Sequence, residues 1–156
     1  MGCYRDAVFE EMDLEGVTFT GATLTDAFFM RSNLSEANFT GATLAGAGFW
    51  SSDLVEADFT GAILDGATFS GGEAQQARFD DASLAGVSFG AVDLEGSSFR
   101  RASLQDTTFD VRDEGYEISL AGADFGEYVD PGVDNEGIEP PRPKVPRGSK
   151  HRLRRS

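Results

Sequence analysis

Large apolar residues recur at every fifth position from Phe9 to Phe109, and Phe alternates with Leu along the whole series. Only Ala74, which stands in a Leu position, departs from it. In most pentads the residue two positions before the large one is small, and the other three positions are mostly Thr, Ser, Asp, Asn, Glu or Gly. A period of five fits neither a helix nor an ordinary strand. It predicts a repeat structure in which each pentad adds one large side chain to a continuous core.

Stretches such as Ala-Asn-Phe-Thr-Gly at 37–41 and Ala-Asp-Phe-Thr-Gly at 57–61 resemble the pentapeptide-repeat family, whose pattern is small, polar, Leu or Phe, and two further residues. The resemblance implies an all-β fold, a right-handed quadrilateral parallel β-helix in which four pentads make a coil of about 20 residues. Phe would then fill two opposite faces of the coil and Leu the other two. The expected Phe columns are Phe9, Phe29, Phe49, Phe69, Phe89 and Phe109, and Phe19, Phe39, Phe59, Phe79 and Phe99.

Two blocks of opposite charge divide the chain. Residues 1–139 carry 27 acidic and six basic side chains, a net charge of −21, whereas residues 140–156 carry seven basic and no acidic ones. We expect the β-helix to span residues 2–127, with a phase break at 110–119. Residues 128–156 are expected to form a disordered tail that is first Pro-rich and then basic, because proline lacks the N–H that a β-ladder needs.

Composition bears on the cellular location of the protein. No apolar run approaches the ~20 residues of a membrane helix, and Met1 is not followed by the apolar core of a signal peptide. Cys3 is the only cysteine, so no internal disulfide can form. We therefore predict a cytoplasmic protein without membrane contact.

Catalytic motifs are not recognisable in the sequence. Gly86-Val87-Ser88-Phe89-Gly90 matches the G-x-S-x-G string, but it lies in phase with the repeat instead of at a strand-to-helix turn. His151 is the only histidine, so neither a Ser–His pair nor a histidine metal site can be assembled. We predict a protein that is not an enzyme, with no catalytic residue, metal or cofactor.

One predicted face of the coil is acidic. The outward positions behind Leu14, Leu34, Leu54, Ala74 and Leu94 carry carboxylates without an intervening Lys or Arg. We interpret this acidic face as a partner-binding surface; the alternative is a solvated surface that promotes solubility. The acidic face comprises Asp13, Glu15, Glu36, Asp53, Glu56, Glu73, Asp93 and Glu95.

An apolar patch is predicted on the adjoining face, behind the first Phe column. Its outward positions hold Phe28, Met30 and Trp50, with Val8 one coil earlier, and Met30 and Trp50 occupy the same slot in successive coils. Exposed aromatic residues beside charges are typical of protein-binding hot spots. The alternative is that these side chains are scattered or pack under a terminal segment.

The resemblance also implies a function. Qnr-type and mycobacterial members of the family resemble duplex DNA and bind DNA gyrase or topoisomerase IV, protecting them from quinolones or other poisons. Residues 2–111 carry 18 acidic and five basic side chains, a net charge of −13. Over a rod of about 26 Å this density is close to one charge per ~1.7 Å of B-DNA.

We therefore predict a DNA mimic whose acidic face binds a protein partner, with a type II topoisomerase as the candidate. The rod itself is not expected to bind nucleic acid. A nucleic-acid contact by the basic tail and a homodimer are both left open. The alternative function is a structural or scaffolding module with a different protein partner.

Overall fold

The computed structural model describes residues 2–110, which form a β-solenoid with about twenty residues per coil. No helix is present in this range. Six parallel strands stack in sequence order into one sheet on the face of the first Phe column, and the three longest continue past a corner onto the predicted acidic face. They are β1 Val8–Glu10, β2 Phe28–Met30, β3 Gly48–Asp53, β4 Thr68–Glu73, β5 Ser88–Asp93 and β6 Thr108–Asp110.

The register between coils is twenty residues on every face. In the sheet, Phe29 aligns with Phe49. On the other faces, single bridges such as Asn38 to Asp58 and Thr43 to Ile63 keep the same offset. The predicted coil length is confirmed.

Phenylalanine rings form the two predicted columns. Within each column, successive rings stack with centroids 4.6–5.1 Å apart. Between the columns, the rings meet edge to face at 5.7–6.2 Å, as Phe49 and Phe59 do at 5.7 Å. The columns therefore enter from opposite faces and meet in the middle of the coil, and offset or edge-to-face contacts are the arrangements that aromatic quadrupoles favour.

Small residues line the interior beside the large ones. Ala37, Ala42, Ala47 and Ala57 are each 0 % exposed. A larger side chain there would compete with the rings for the same space. Ala74 is also 0 % exposed, so the Leu position that it occupies does belong to the core.

Every pentad turns at the residue two positions after its large side chain. All of these corner residues in the described range have positive φ, and twelve of them are not glycine, Glu36 (58°) and Glu56 (57°) among them. The turn is closed by a backbone hydrogen bond, such as the one that Ala37 N donates to Leu34 O at 3.0 Å. Glycine at Gly41 or Gly61 relieves the strain that other residues accept here.

The first coil is covered by Tyr4, which stands where later coils carry Leu. Its ring contacts Phe9 and Phe19 edge to face, at 6.3 and 6.1 Å. Tyr4 remains 43 % exposed. It thus shields the rings of the first coil with a side chain whose hydroxyl can stay in water.

Parts of the sequence-based domain prediction lie outside the described residues. These are the continuation of the β-helix to residue 127, most of the phase break at 110–119, and the tail at 128–156.

Candidate functional site

The acidic face is assembled by the register of the coils. Bridges and strand pairs align the position just before each large residue of this face from coil to coil, so that the side chains at this position stack along the rod. All eight carboxylates of the acidic face are at least partly exposed. The aligned slot contains Asp13, Asn33, Asp53, Glu73 and Asp93.

Aspartates in this slot also stabilise the turn that follows them. Asp53 Oδ1 accepts a hydrogen bond from Val55 N at 3.0 Å, and Asp93 Oδ1 accepts one from Glu95 N at 3.0 Å. Asn33 does the same for the backbone of Ser35 at 3.1 Å. This is the Asx-turn geometry that Asp and Asn favour. Sequence reasoning missed this second role, and it gives these aspartates a purpose that needs no partner.

Four of the five glutamates of the acidic face have no such role; the fifth, Glu15, accepts a hydrogen bond from Asn33 Nδ2 at 3.3 Å. Glu36, Glu56, Glu73 and Glu95 are exposed, and within residues 2–110 their carboxylates accept no hydrogen bond. Like charges a coil apart repel each other by about 1 kcal/mol even in water. These four side chains therefore destabilise the fold and form no stabilising hydrogen bond or ion pair within residues 2–110.

Three arginines of the described segment, Arg31, Arg78 and Arg101, pair with carboxylates outside the acidic face. Arg31 stands at the corner beside it and pairs with Glu10 and Glu11, at 2.5 and 3.1 Å. Hydrogen bonds from its guanidinium to Glu11 and then Glu10 raise the pKa of Arg31. None of the ion pairs formed within residues 2–110 includes a carboxylate of the acidic face, so its charge is not neutralised by the rod.

The apolar patch occupies the outer surface of β1, β2 and β3. Val8 aligns with Phe28, and Met30 aligns with Trp50. The Trp50 ring leans back over Gly48 and stacks on Phe28, with centroids 5.1 Å apart and planes 15° apart. Val8 is 59 % exposed, whereas the other three are half-buried.

Gly48 makes room for this stack. A Cβ at Gly48 would lie 3.0 Å from Phe28 Cδ1 and 3.2 Å from Trp50 Cζ2, closer than side chains normally pack. The sequence placed Phe28, Met30 and Trp50 together correctly but did not indicate that Gly48 lies under the two rings. We call the stacked pair Phe28 and Trp50 the aromatic platform.

Comparison with known proteins identifies the repeat. Models of pentapeptide repeats match residues 32–71, with eight copies, and residues 54–98, with nine copies. A pentapeptide repeat protein from the thylakoid lumen of Arabidopsis thaliana is 37% identical, with a TM-score of 0.61, over 64% of this chain and 69% of that one. The chain belongs to the pentapeptide repeat family.

Other solved pentapeptide repeat structures are more distant. QnrB1, a plasmid-mediated fluoroquinolone resistance protein, is 18% identical with a TM-score of 0.45, over 94% of this chain and 93% of that chain. HetL from the cyanobacterium Nostoc, which is involved in the regulation of heterocyst differentiation, is 20% identical with a TM-score of 0.38, over 76% of this chain and 61% of that chain. No curated protein sequence matches the chain.

The remaining faces of this pentapeptide repeat protein differ in character. The face behind the second Phe column aligns Asn38, Asp58 and Arg78, and Arg78 lies 3.8 Å from the Asp58 carboxylate. At the corner that ends the pentad of Arg78, both carboxylate oxygens of Asp81 are bound by Arg101 of the next coil, and this hydrogen bonding lowers the pKa of Asp81. Acids and bases are therefore paired on this face, in contrast to the acidic face.

Two further findings concern the described part of the chain. No group of three His, Cys, Asp or Glu side chains there is arranged to hold a metal ion. Nor does it include a helix with the length and hydrophobicity needed to span a membrane.

Proposed function

We propose that this pentapeptide repeat protein is a non-enzymatic binding module that acts as a DNA mimic, with its acidic face held in a basic, DNA-binding groove of a protein partner. The observation that supports this most directly is the row of eight carboxylates on one face of the rod. None of these carboxylates is ion-paired within residues 2–110. Such a surface attracts a basic groove and repels nucleic acid.

The charge density of the rod supports the comparison with DNA. Stacked rings set a rise of 4.6–5.1 Å per coil. Residues 2–110 carry 18 acidic and five basic side chains, a net charge of −13. Spread over about 26 Å, this is roughly one charge per 2 Å, against one per ~1.7 Å for duplex DNA.

Rigidity adds to the argument. The backbone of each coil is hydrogen-bonded to the next, as in the 2.7 Å bond from Leu34 N to Asp53 O under the acidic face. The carboxylates are therefore carried on a fixed frame, and binding costs less conformational entropy than it would for a flexible acidic chain.

The first partner to test is a type II topoisomerase, DNA gyrase or topoisomerase IV. The test is a supercoiling assay with purified enzyme, with and without a quinolone. The binding variant combines Glu36→Gln, Glu56→Gln and Glu73→Gln, because none of these side chains holds the turn together. The expected result is that the wild-type chain inhibits or protects the enzyme at micromolar concentration and that the variant loses the effect.

A matched control changes the net charge equally on another face. Thr23→Lys, Ile63→Lys and Ser103→Lys change the net charge by the same +3, at outward positions of the Leu24 column. This control is expected to retain the effect of the wild type. Equal loss in both variants would show that only net charge matters, and it would refute a specific role of the acidic face.

The aromatic platform favours a second candidate function, a scaffolding module that binds another protein through the apolar patch. Trp50→Ala separates the two. If topoisomerase neither binds nor responds to the wild-type chain, the DNA-mimic proposal with this partner fails. If topoisomerase does bind, loss of binding on Trp50→Ala with retention in the glutamine variant would favour the patch over the acidic face.

A further inference from the structure

The aromatic platform and the acidic face meet at one corner of the rod. Trp50 lies at the end of the apolar patch, and the chain then turns through Ser51 to Asp53 on the acidic face. Asp53 aligns with Glu73, so two carboxylates lie side by side across this corner from the stacked rings. Aromatic surfaces beside carboxylates suit ligands that combine prolines with Arg or Lys, because proline rings pack on aromatic side chains and the cations pair with the acids.

The chain itself contains a segment of this chemistry. Residues 140–147 read Pro-Pro-Arg-Pro-Lys-Val-Pro-Arg, and three of the four prolines, at 140, 143 and 146, are spaced by three residues. A polyproline II helix has three residues per turn, so these prolines would share one edge. The three cations Arg142, Lys144 and Arg147 would lie on its other edges.

We propose that residues 140–147 dock on the aromatic platform of the same molecule, with their cations facing Asp53 and Glu73. Charge complementarity supports this choice, since residues 140–156 carry seven basic and no acidic side chains whereas the acidic face is unpaired within the described rod. The proposal does not depend on a topoisomerase partner. It adds a resident ligand that any partner at this corner must displace.

The connection is long enough for docking within one chain. Asp110 ends β6 on the same face as the platform, and the stacked rings from Phe109 to Phe49 place it about three coils away, roughly 15 Å along the rod. The 29 residues between Asp110 and Pro140 exceed this distance when extended, and the 12 residues beyond the expected end of the β-helix at 127 could still span roughly 40 Å. Such a tether gives an effective concentration on the order of 1 mM, so even a weak contact would be occupied about half of the time or more.

Trp50 allows a direct test because it is the only tryptophan in the chain. The experiment measures acrylamide quenching of Trp50 fluorescence in the full-length protein at low salt. The test variant combines Arg142→Glu, Lys144→Glu and Arg147→Glu. The control variant combines Lys150→Glu, Arg152→Glu and Arg154→Glu, which changes the net charge equally but leaves the Pro-rich segment intact. Circular dichroism verifies that each protein is folded.

Docking predicts a quenching constant about twofold higher in the test variant than in the wild type, as expected if about half of the rings are covered. The quenching constant of the control variant should stay near that of the wild type. The wild-type constant should also be the same at about 1 and about 100 µM protein, because a contact within one molecule does not depend on concentration. Equal quenching in all three proteins, or equal increases in both variants, would overturn the proposal. A wild-type value that rises on dilution would also overturn it, because the contact would then join two molecules.

Discussion

Replacing Ala74 with Leu tests the core of the solenoid where its pattern is broken. Ala74 is fully buried in a column whose neighbours are Leu54 and Leu94. The Phe columns do not close in around it, since Phe69 keeps its stacking distances of 4.7 and 4.8 Å to Phe49 and Phe89. The space of the missing side chain is therefore not taken up by a shorter coil spacing, and Ala74→Leu should fill it.

The expected gain follows from three additional buried carbons. At ~0.8 kcal/mol per carbon they contribute about 2.4 kcal/mol. Ordering the Leu side chain costs about 0.5–1 kcal/mol. The net stabilisation is therefore about 1.5–2 kcal/mol, which for a domain of this size corresponds to a rise in melting temperature of roughly 6–8 °C.

Ala77→Leu is the matched control for this experiment. Ala77 is equally buried, but it occupies the small position before Phe79, where a larger side chain meets the ring column. Overpacking there should cost about 1–3 kcal/mol. Thermal unfolding followed by circular dichroism distinguishes the two. If Ala74→Leu lowers the melting temperature as Ala77→Leu does, the assignment of free space beside Ala74 is wrong.

Four further substitutions probe the turns, the platform and an ion pair. Gly72→Ala should destabilise the fold by at least about 3 kcal/mol, since its Cβ would lie 2.3 Å from a backbone oxygen at a φ of 116°. Gly61→Ala has open space around the added Cβ and should cost only ~1 kcal/mol of backbone strain. Urea denaturation of the two variants measures the difference in stability. Gly48→Ala should part the stacked rings above it and shift tryptophan fluorescence to longer wavelength with little loss of stability. Asp81 has a lowered pKa in the folded state, so its pair with Arg101 stabilises the fold above the unfolded pKa of ~3.9 and is lost as the pH falls through the folded value. Asp81→Asn should therefore weaken the fall in melting temperature below about pH 4, and an unchanged pH profile would contradict this.

The architecture could be read from the sequence because each pentad repeats one environment. Phe recurs at every tenth residue and a coil has about twenty, so each buried Phe ring stacks on the Phe twenty residues further along, as Phe29 does on Phe49 at 4.9 Å. The same twenty-residue spacing aligns Asp53 with Glu73, so their shared face was predictable from the sequence. Positions on a face were therefore predictable, whereas the binding role of these positions stays a prediction.

Details that depend on side-chain direction were not predictable in the same way. The pattern aligned Trp50 with Met30, but the indole packs across the diagonal on Phe28 because Gly48 leaves the space open. The turn-capping role of Asp53 had a signal, since Asp or Asn three residues before a corner favours an Asx turn. That signal was obscured because the same residues also looked like members of an acidic surface.

The two roles can be separated on the acidic face itself. Asp53 and Asp93 each accept a backbone hydrogen bond, so their presence follows from the turn. Glu56 and Glu73 contribute no such contact within the described rod, yet they add repulsion to a face that has no basic side chain of its own. Residues that cost stability and give nothing to the fold are the ones whose presence a binding function would explain. Glu36, Glu56, Glu73 and Glu95, and not the aspartates of the acidic face, are therefore the residues on which the proposal of a basic partner depends.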